Sequence, residues 1–208
     1  VKTPIVAVSN GIDLSKYKKD PKKEEVFRKH FNIQEGEKVV LCAGLYFRRK
    51  GIEDFVEVAR RMPDVRFIWL GSINKWLIPR AIRRLVEKDH PSNVEFPGYF
   101  KGAVFQGAMT GADAFFFPSY EETEGIVVLE ALAGHQHVVL RDIPVYHGWV
   151  DQESAELCHS VDEFVDSLEK VLSGQVDKRD AGDRVAQSRS IDLVADQLVK
   201  AYQQVLEM

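Results

Sequence analysis

The sequence predicts an α/β domain built on one doubly wound parallel sheet. Two observations carry that prediction. Short β-branched and aromatic runs alternate with helical patterns almost from end to end. Several of those runs are apolar without alternation, the pattern of parallel strands covered by helices on both faces. The strand candidates are residues 5–8, Val39–Ala43, 65–70, 94–96, Ala114–Phe117, 138–140 and Glu156–Cys158. Between them Phe55, Val58, Ala59 and Met62 recur at i, i+3, i+4 and i+7, and Phe164, Leu168, Val171 and Leu172 mark a second apolar stripe. Val194, Leu198, Ala201 and Val205 mark a third, while 174–189 is polar and reads as surface helix or loop. With 208 residues, no internal repeat and no linker-like stretch, one domain accounts for the chain.

Composition narrows the function. Hydrophobic residues make up 45% and charged residues 29%, which suits a globular fold rather than disorder. A net charge of −4 argues against nucleic acid as the main partner, because a phosphate backbone requires a basic footprint. Cys42 and Cys158 sit among apolar residues and read as buried free thiols in a reducing cytosol. No apolar run approaches the ~20 residues of a membrane span, and no signal peptide opens the chain. The chain starts Val1-Lys2-Thr3-Pro4 and lacks an initiator methionine, so it reads as a fragment or processed product.

In such a sheet ligands bind outside the carboxyl ends of the strands, which directs attention to loops 44–51, 71–74 and 118–125. Loop 44–51 runs Gly44-Leu45-Tyr46-Phe47-Arg48-Arg49-Lys50-Gly51. Three consecutive cations before a helix add side-chain charge to the positive end of the helix dipole, which suits a phosphate or diphosphate. Taken alone, the run fits a solvated charged loop equally well. The stronger segment places Glu122 in a turn and Glu130 about a turn and a half into the following helix. The amides of Glu124, Gly125 and Ile126 lie between them. One ligand can engage all three features: a hydroxylated group at Glu122, phosphate at the amides and a ribose diol at Glu130. The alternative makes the acids simple complements of the helix dipole.

Glu122 and Glu130, with seven residues between them and Ala131-Leu132-Ala133 following, resemble the Glu-x7-Glu motif of retaining GT-B glycosyltransferases. Ser9-Asn10-Gly11-Ile12-Asp13 resembles the turn that opens their C-terminal domain. Gly44 with Lys50-Gly51 resembles their phosphate loop, Phe96-Pro97-Gly98-Tyr99 the base-facing segment, and Gly111-Ala112-Asp113-Ala114 the entry to the strand before the motif. Within that family, residues 121–133 and 141–146 most resemble the glycosyl-diacylglycerol (glycolipid) synthases of Gram-positive bacteria.

The resemblance implies a Rossmann-like sheet forming the C-terminal half of a GT-B fold. It implies that Glu122 contacts the transferred sugar, and that Arg49 and Lys50 neutralise the departing diphosphate. Gly44, Arg48 and the backbone of Thr123, Glu124, Gly125 and Ile126 would approach the phosphates, Glu130 the ribose, and the Tyr99 backbone the base. The donor would be UDP-glucose or UDP-galactose, with no cofactor and no required metal. The acceptor would be held by an N-terminal domain absent from this chain, and this half alone would be inactive. No membrane-binding stripe is clear here, so membrane contact at the cytoplasmic face is expected from that other domain. Other functions compatible with the fold are nucleotide-sugar epimerisation and a non-catalytic interaction domain.

Two positions depart from the family pattern. Leu45 stands where many relatives carry arginine, leaving Arg48 or Arg49 to substitute. His135 and His137 replace the usual glycine and proline, and read as packed or solvated rather than as metal ligands.

Overall fold

The computed structural model describes residues 5–206, so the Val1–Pro4 start lies outside the described residues. Its six strands are β1 (Val39–Ala43), β2 (Arg66–Leu70), β3 (Val94–Gly98), β4 (Ala114–Phe117), β5 (Val138–Arg141) and β6 (Glu156–Cys158). The helices are α1 (Pro21–His30), α2 (Ile52–Arg61), α3 (Arg80–Glu87), α4 (Ala103–Gly111), α5 (Ile126–Ala133), α6 (Val161–Leu172), α7 (Arg179–Ser188) and α8 (Ile191–Leu206). The strands form one sheet in the order β3-β2-β1-β4-β5-β6, and every pairing is parallel.

The apolar runs explain this order. Every residue of β1, β4 and β5 is buried, as parallel strands covered on both faces must be. One group of helices joins α2 to α3 and α6, and another joins α4 to α1 and α5. Phe55 of α2 stacks on Phe116 of β4 with ring centres 5.8 Å apart, pinning the first group to the middle of the sheet. Cys42 and Cys158 are free and buried, as their apolar neighbours predict.

One strand candidate fails. Residues 5–8 form no strand, and Ile5 is 96% exposed. A β-branched run without a face to pack on has no reason to pair. The polar stretch 174–189 resolves into α7, whose Gly182 and Ala186 turn inward. No helix among the described residues is long and apolar enough to cross a membrane.

Candidate functional site

Strand order reverses between β1 and β4, so the crevice of this sheet opens at their carboxyl ends. Loop 44–51 leaves β1 there, loop 118–125 leaves β4, and the two meet. The Tyr120 amide donates to the Arg49 carbonyl at 2.8 Å, and the Arg49 guanidinium donates to the Glu121 carbonyl at 2.8 Å. Gly51 makes this approach possible. Its φ is 78°, and a Cβ there would lie 2.3 Å from the Pro118 carbonyl oxygen.

Arg48, Arg49 and Lys50 form a single 3-10 turn, and three residues per turn send three side chains three ways. Arg48 points outward to Glu53 at 3.0 Å. Arg49 reaches the Glu121 carbonyl, and Lys50 turns inward. The Lys50 ammonium donates to Glu122 Oε1 at 2.5 Å, with the two side chains only 11% and 8% exposed. Ser119 Oγ donates to the same carboxylate oxygen at 2.6 Å, and the ammonium lies 5.4 Å from the centre of the Phe117 ring. Breaking a buried pair of this kind leaves an uncompensated charge, so each partner fixes the other's position.

Thr123 stands in the turn, Gly125 (φ 81°) opens α5, and Ile126 is its first residue. No side chain caps this helix, so its first amides keep their donors and the positive end of the dipole. The Glu124 side chain instead ties the loop to the 9–13 turn, accepting from Ser9 Oγ at 2.5 Å and from the Asn10 amide at 3.1 Å. Burial raises the Glu124 pKa. The hydrogen bonds from Ser9 and Asn10, with the Arg189 charge, outweigh that and hold the carboxyl below its ordinary value.

Glu130 is the fifth residue of α5 and accepts a hydrogen bond from the Tyr17 hydroxyl. Burial pushes the Glu130 pKa above the usual carboxylate value, against the pull of that hydrogen bond. The Tyr17 hydroxyl is itself raised, by burial and then by the carboxylate it serves.

Gly44, Leu45 and Tyr99 share an apolar pocket of about 210 Å³ with Gly71, Phe105 and Val127, at the carboxyl ends of β1, β2 and β3. The indole of buried Trp69 donates to the Gly44 carbonyl at 2.9 Å and holds that lining residue in place. Arg141 braces the other side. It donates to the Pro118 carbonyl at 3.1 Å, pairs with Asp54 of α2, and lies 4.0 Å from the centre of the Tyr120 ring. A hollow of about 750 Å³ lies at the amino end of the sheet beside Lys38, Asp113 and His137, away from both loops. There His135 pairs with Asp180 at 2.9 Å.

The crevice therefore gathers Lys50, Arg49, Glu122, Thr123, Gly125 and Ile126, with Gly44 and Tyr99 in the adjoining pocket and Glu130 along the helix. Arg48 is turned away from it. Sequence reasoning missed Tyr17, Trp69, Ser119 and Arg141; the partners of Tyr17, Trp69 and Arg141 lie far along the chain, whereas Ser119 lies three residues from Glu122. Two of them carried a signal: Arg141 opens the 141–146 stretch already noted, and Ser119 lies inside loop 118–125.

Fold and crevice define a Rossmann-like α/β domain with its opening at the switch point, the C-terminal half of a GT-B fold. Residues 23–188 match the family described as Glycosyl transferases group 1, and the chain belongs to that family. It is 49% identical over its whole length to the processive diacylglycerol alpha-glucosyltransferase of Acholeplasma laidlawii, spanning 63% of that relative. It is 28% identical over 68% of its length to the alpha-galactosylglucosyldiacylglycerol synthase of Streptococcus pneumoniae, spanning 39% of it. The same fold occurs in Anabaena HepE, solved in complex with UDP-glucose, at a TM-score of 0.81 and 16% identity over 95% of this chain and 57% of that one.

Proposed function

We propose that this chain is the donor-binding domain of a retaining hexosyltransferase that moves glucose or galactose from a UDP-sugar to a diacylglycerol or glycolipid acceptor. The observation that carries the reading is the Lys50–Glu122 pair, which joins the two loops at the switch point. The base enters the pocket beside Gly44 and the Tyr99 backbone, and Glu130 takes the ribose diol with the carboxylate oxygen that Tyr17 leaves free. The diphosphate lies against Lys50, Arg49 and the amides from Thr123 to Ile126, where preorganised donors meet the charge that builds on the leaving group. Glu122 then faces the transferred sugar while holding Lys50 in place. These side chains and amides neutralise the leaving group without a metal.

The Acholeplasma relative is named an alpha-glucosyltransferase. With an α-linked UDP-sugar as donor, an α product means retention. An N-terminal domain supplies the acceptor site, and the whole protein works in the cytoplasm at the inner face of the membrane.

The test is product analysis with the full-length protein containing this chain, given UDP-glucose or UDP-galactose with and without diacylglycerol. The expected result is UDP plus an α-hexosyl lipid, formed only when the lipid is present. An epimerised UDP-sugar formed without acceptor would overturn the transferase assignment.

A further inference from the structure

In a chain of net charge −4, residues 75–88 carry five cations (Lys75, Arg80, Arg83, Arg84 and Lys88) against the single acid Glu87. The structure arranges them asymmetrically. On α3, Ile82 is buried and Leu85 and Val86 pack on the core, while Arg80, Arg84 and, just past the helix, Lys88 face solvent. Arg84 pairs with Asp89, but Arg80, Arg83 and Lys88 have no acid within ion-pair distance among the described residues. Immediately before this stripe, Trp76 is 87% and Leu77 65% exposed. The short turn holding them follows β2 through Gly71, which lines the same pocket as Gly44 and Tyr99. An exposed indole and leucine thus follow the pocket-lining Gly71 by five and six residues and lead directly into a helix bearing Arg80 and Arg83 without acid partners among the described residues.

We propose that this face, Trp76–Leu77 with Arg80, Arg84 and Lys88, docks the domain on an anionic lipid bilayer. Its chemistry fits that surface on two counts. An indole and an aliphatic side chain partition into the headgroup boundary. Arg80 and Lys88, which no acid neutralises among the described residues, are drawn to acidic headgroups and not to zwitterionic ones, and Arg84 can exchange its exposed Asp89 partner for one. The face adds to the membrane contact expected from an N-terminal domain, and it would bring the donor-binding domain to the surface that holds a lipid acceptor. That purpose rests on the proposed transferase function; the docking itself does not.

The 208-residue chain is sedimented with phosphatidylcholine vesicles and with phosphatidylcholine–phosphatidylglycerol vesicles, and titrated separately with UDP. Binding is expected only to the phosphatidylglycerol vesicles, weakening as salt rises. Tryptophan emission should shift to the blue, a shift lost in Trp76→Phe because Trp69 is already buried and Trp149 packs on the core beneath Arg189. Arg80→Glu with Arg84→Glu, and separately Trp76→Ser with Leu77→Ser, should each reduce vesicle binding about tenfold or more, with melting temperature unchanged because these side chains are exposed. Equal binding to both vesicle types, no binding to either, or full binding by both double variants overturns the docking face. A chain that binds UDP and ignores vesicles sinks this inference alone, whereas one that binds vesicles and not UDP sinks the donor reading alone.

Discussion

Glu122 and Glu130 belong to one short segment, yet the fold treats them in opposite ways. Glu122 sits in a turn against the Lys50 ammonium, a charged partner on another loop. Glu130 sits within α5 against the Tyr17 hydroxyl, a neutral partner, and burial holds its pKa high. The first carboxylate is bound into the scaffold as half of an ion pair. The second is held in orientation while its ionisation stays sensitive to its surroundings. Substitutions at the two positions should therefore fail differently.

The largest effect is expected at the ion pair. Lys50→Ala leaves Glu122 buried without a cation and should lower stability by about 3–5 kcal/mol, read by urea unfolding. Replacing both partners, Lys50→Met with Glu122→Leu, should restore most of that stability and still leave UDP binding lost. Recovery of binding in the double variant would separate the pair from the ligand.

Gly125→Ala comes next. A φ of 81° costs an L-residue roughly 1–2 kcal/mol, and the new Cβ would lie 2.9 Å from the Tyr146 ring. Thermal melting should show a loss somewhat above that figure.

Tyr17→Phe probes Glu130. A hydrogen bond to a charged group contributes about 1.5–3 kcal/mol, and this one favours the ionised carboxylate. Without it the Glu130 pKa, already raised by burial, rises further. A raised carboxyl pKa favours the folded state where the group is protonated, and that contribution is lost as pH rises through the folded pKa. Binding of a ribose diol needs the ionised form, so UDP affinity should fall on acidification, and in Tyr17→Phe that fall should begin at higher pH. Calorimetric titration across the acid range checks it. An unmoved acid limb would show that Tyr17 does not tune this carboxylate.

The smallest effect belongs to Arg48→Ala. Its exposed pairing with Glu53 is worth no more than about 1 kcal/mol, and UDP affinity should change far less than in Arg49→Ala or Lys50→Ala.

The same contrast explains what could be read from the sequence. The buried runs of β1, β4 and β5 announced parallel strands, and the topology of such sheets then placed loops 44–51 and 118–125 at one crevice. Residues 5–8 misled because β propensity says nothing about whether a strand will find a neighbour. The run of three cations was visible, but only the 3-10 turn decides that Lys50 points inward and Arg48 outward. Glu130 was visible as an acid on a helix, but its partner Tyr17 lies 113 residues away. Trp69 and Arg141 shape the crevice through contacts to the Gly44 and Pro118 carbonyls, and no local pattern encodes either contact.

The most direct measurement is calorimetric titration of the chain with UDP and UDP-glucose, beside Lys50→Ala and Glu130→Ala. The expected result is binding by the parent chain that weakens at least about a hundredfold in Lys50→Ala, the scale of losing a charged contact to the diphosphate, and clearly in Glu130→Ala. Binding that survives both substitutions unchanged would contradict a diphosphate held where the two loops meet.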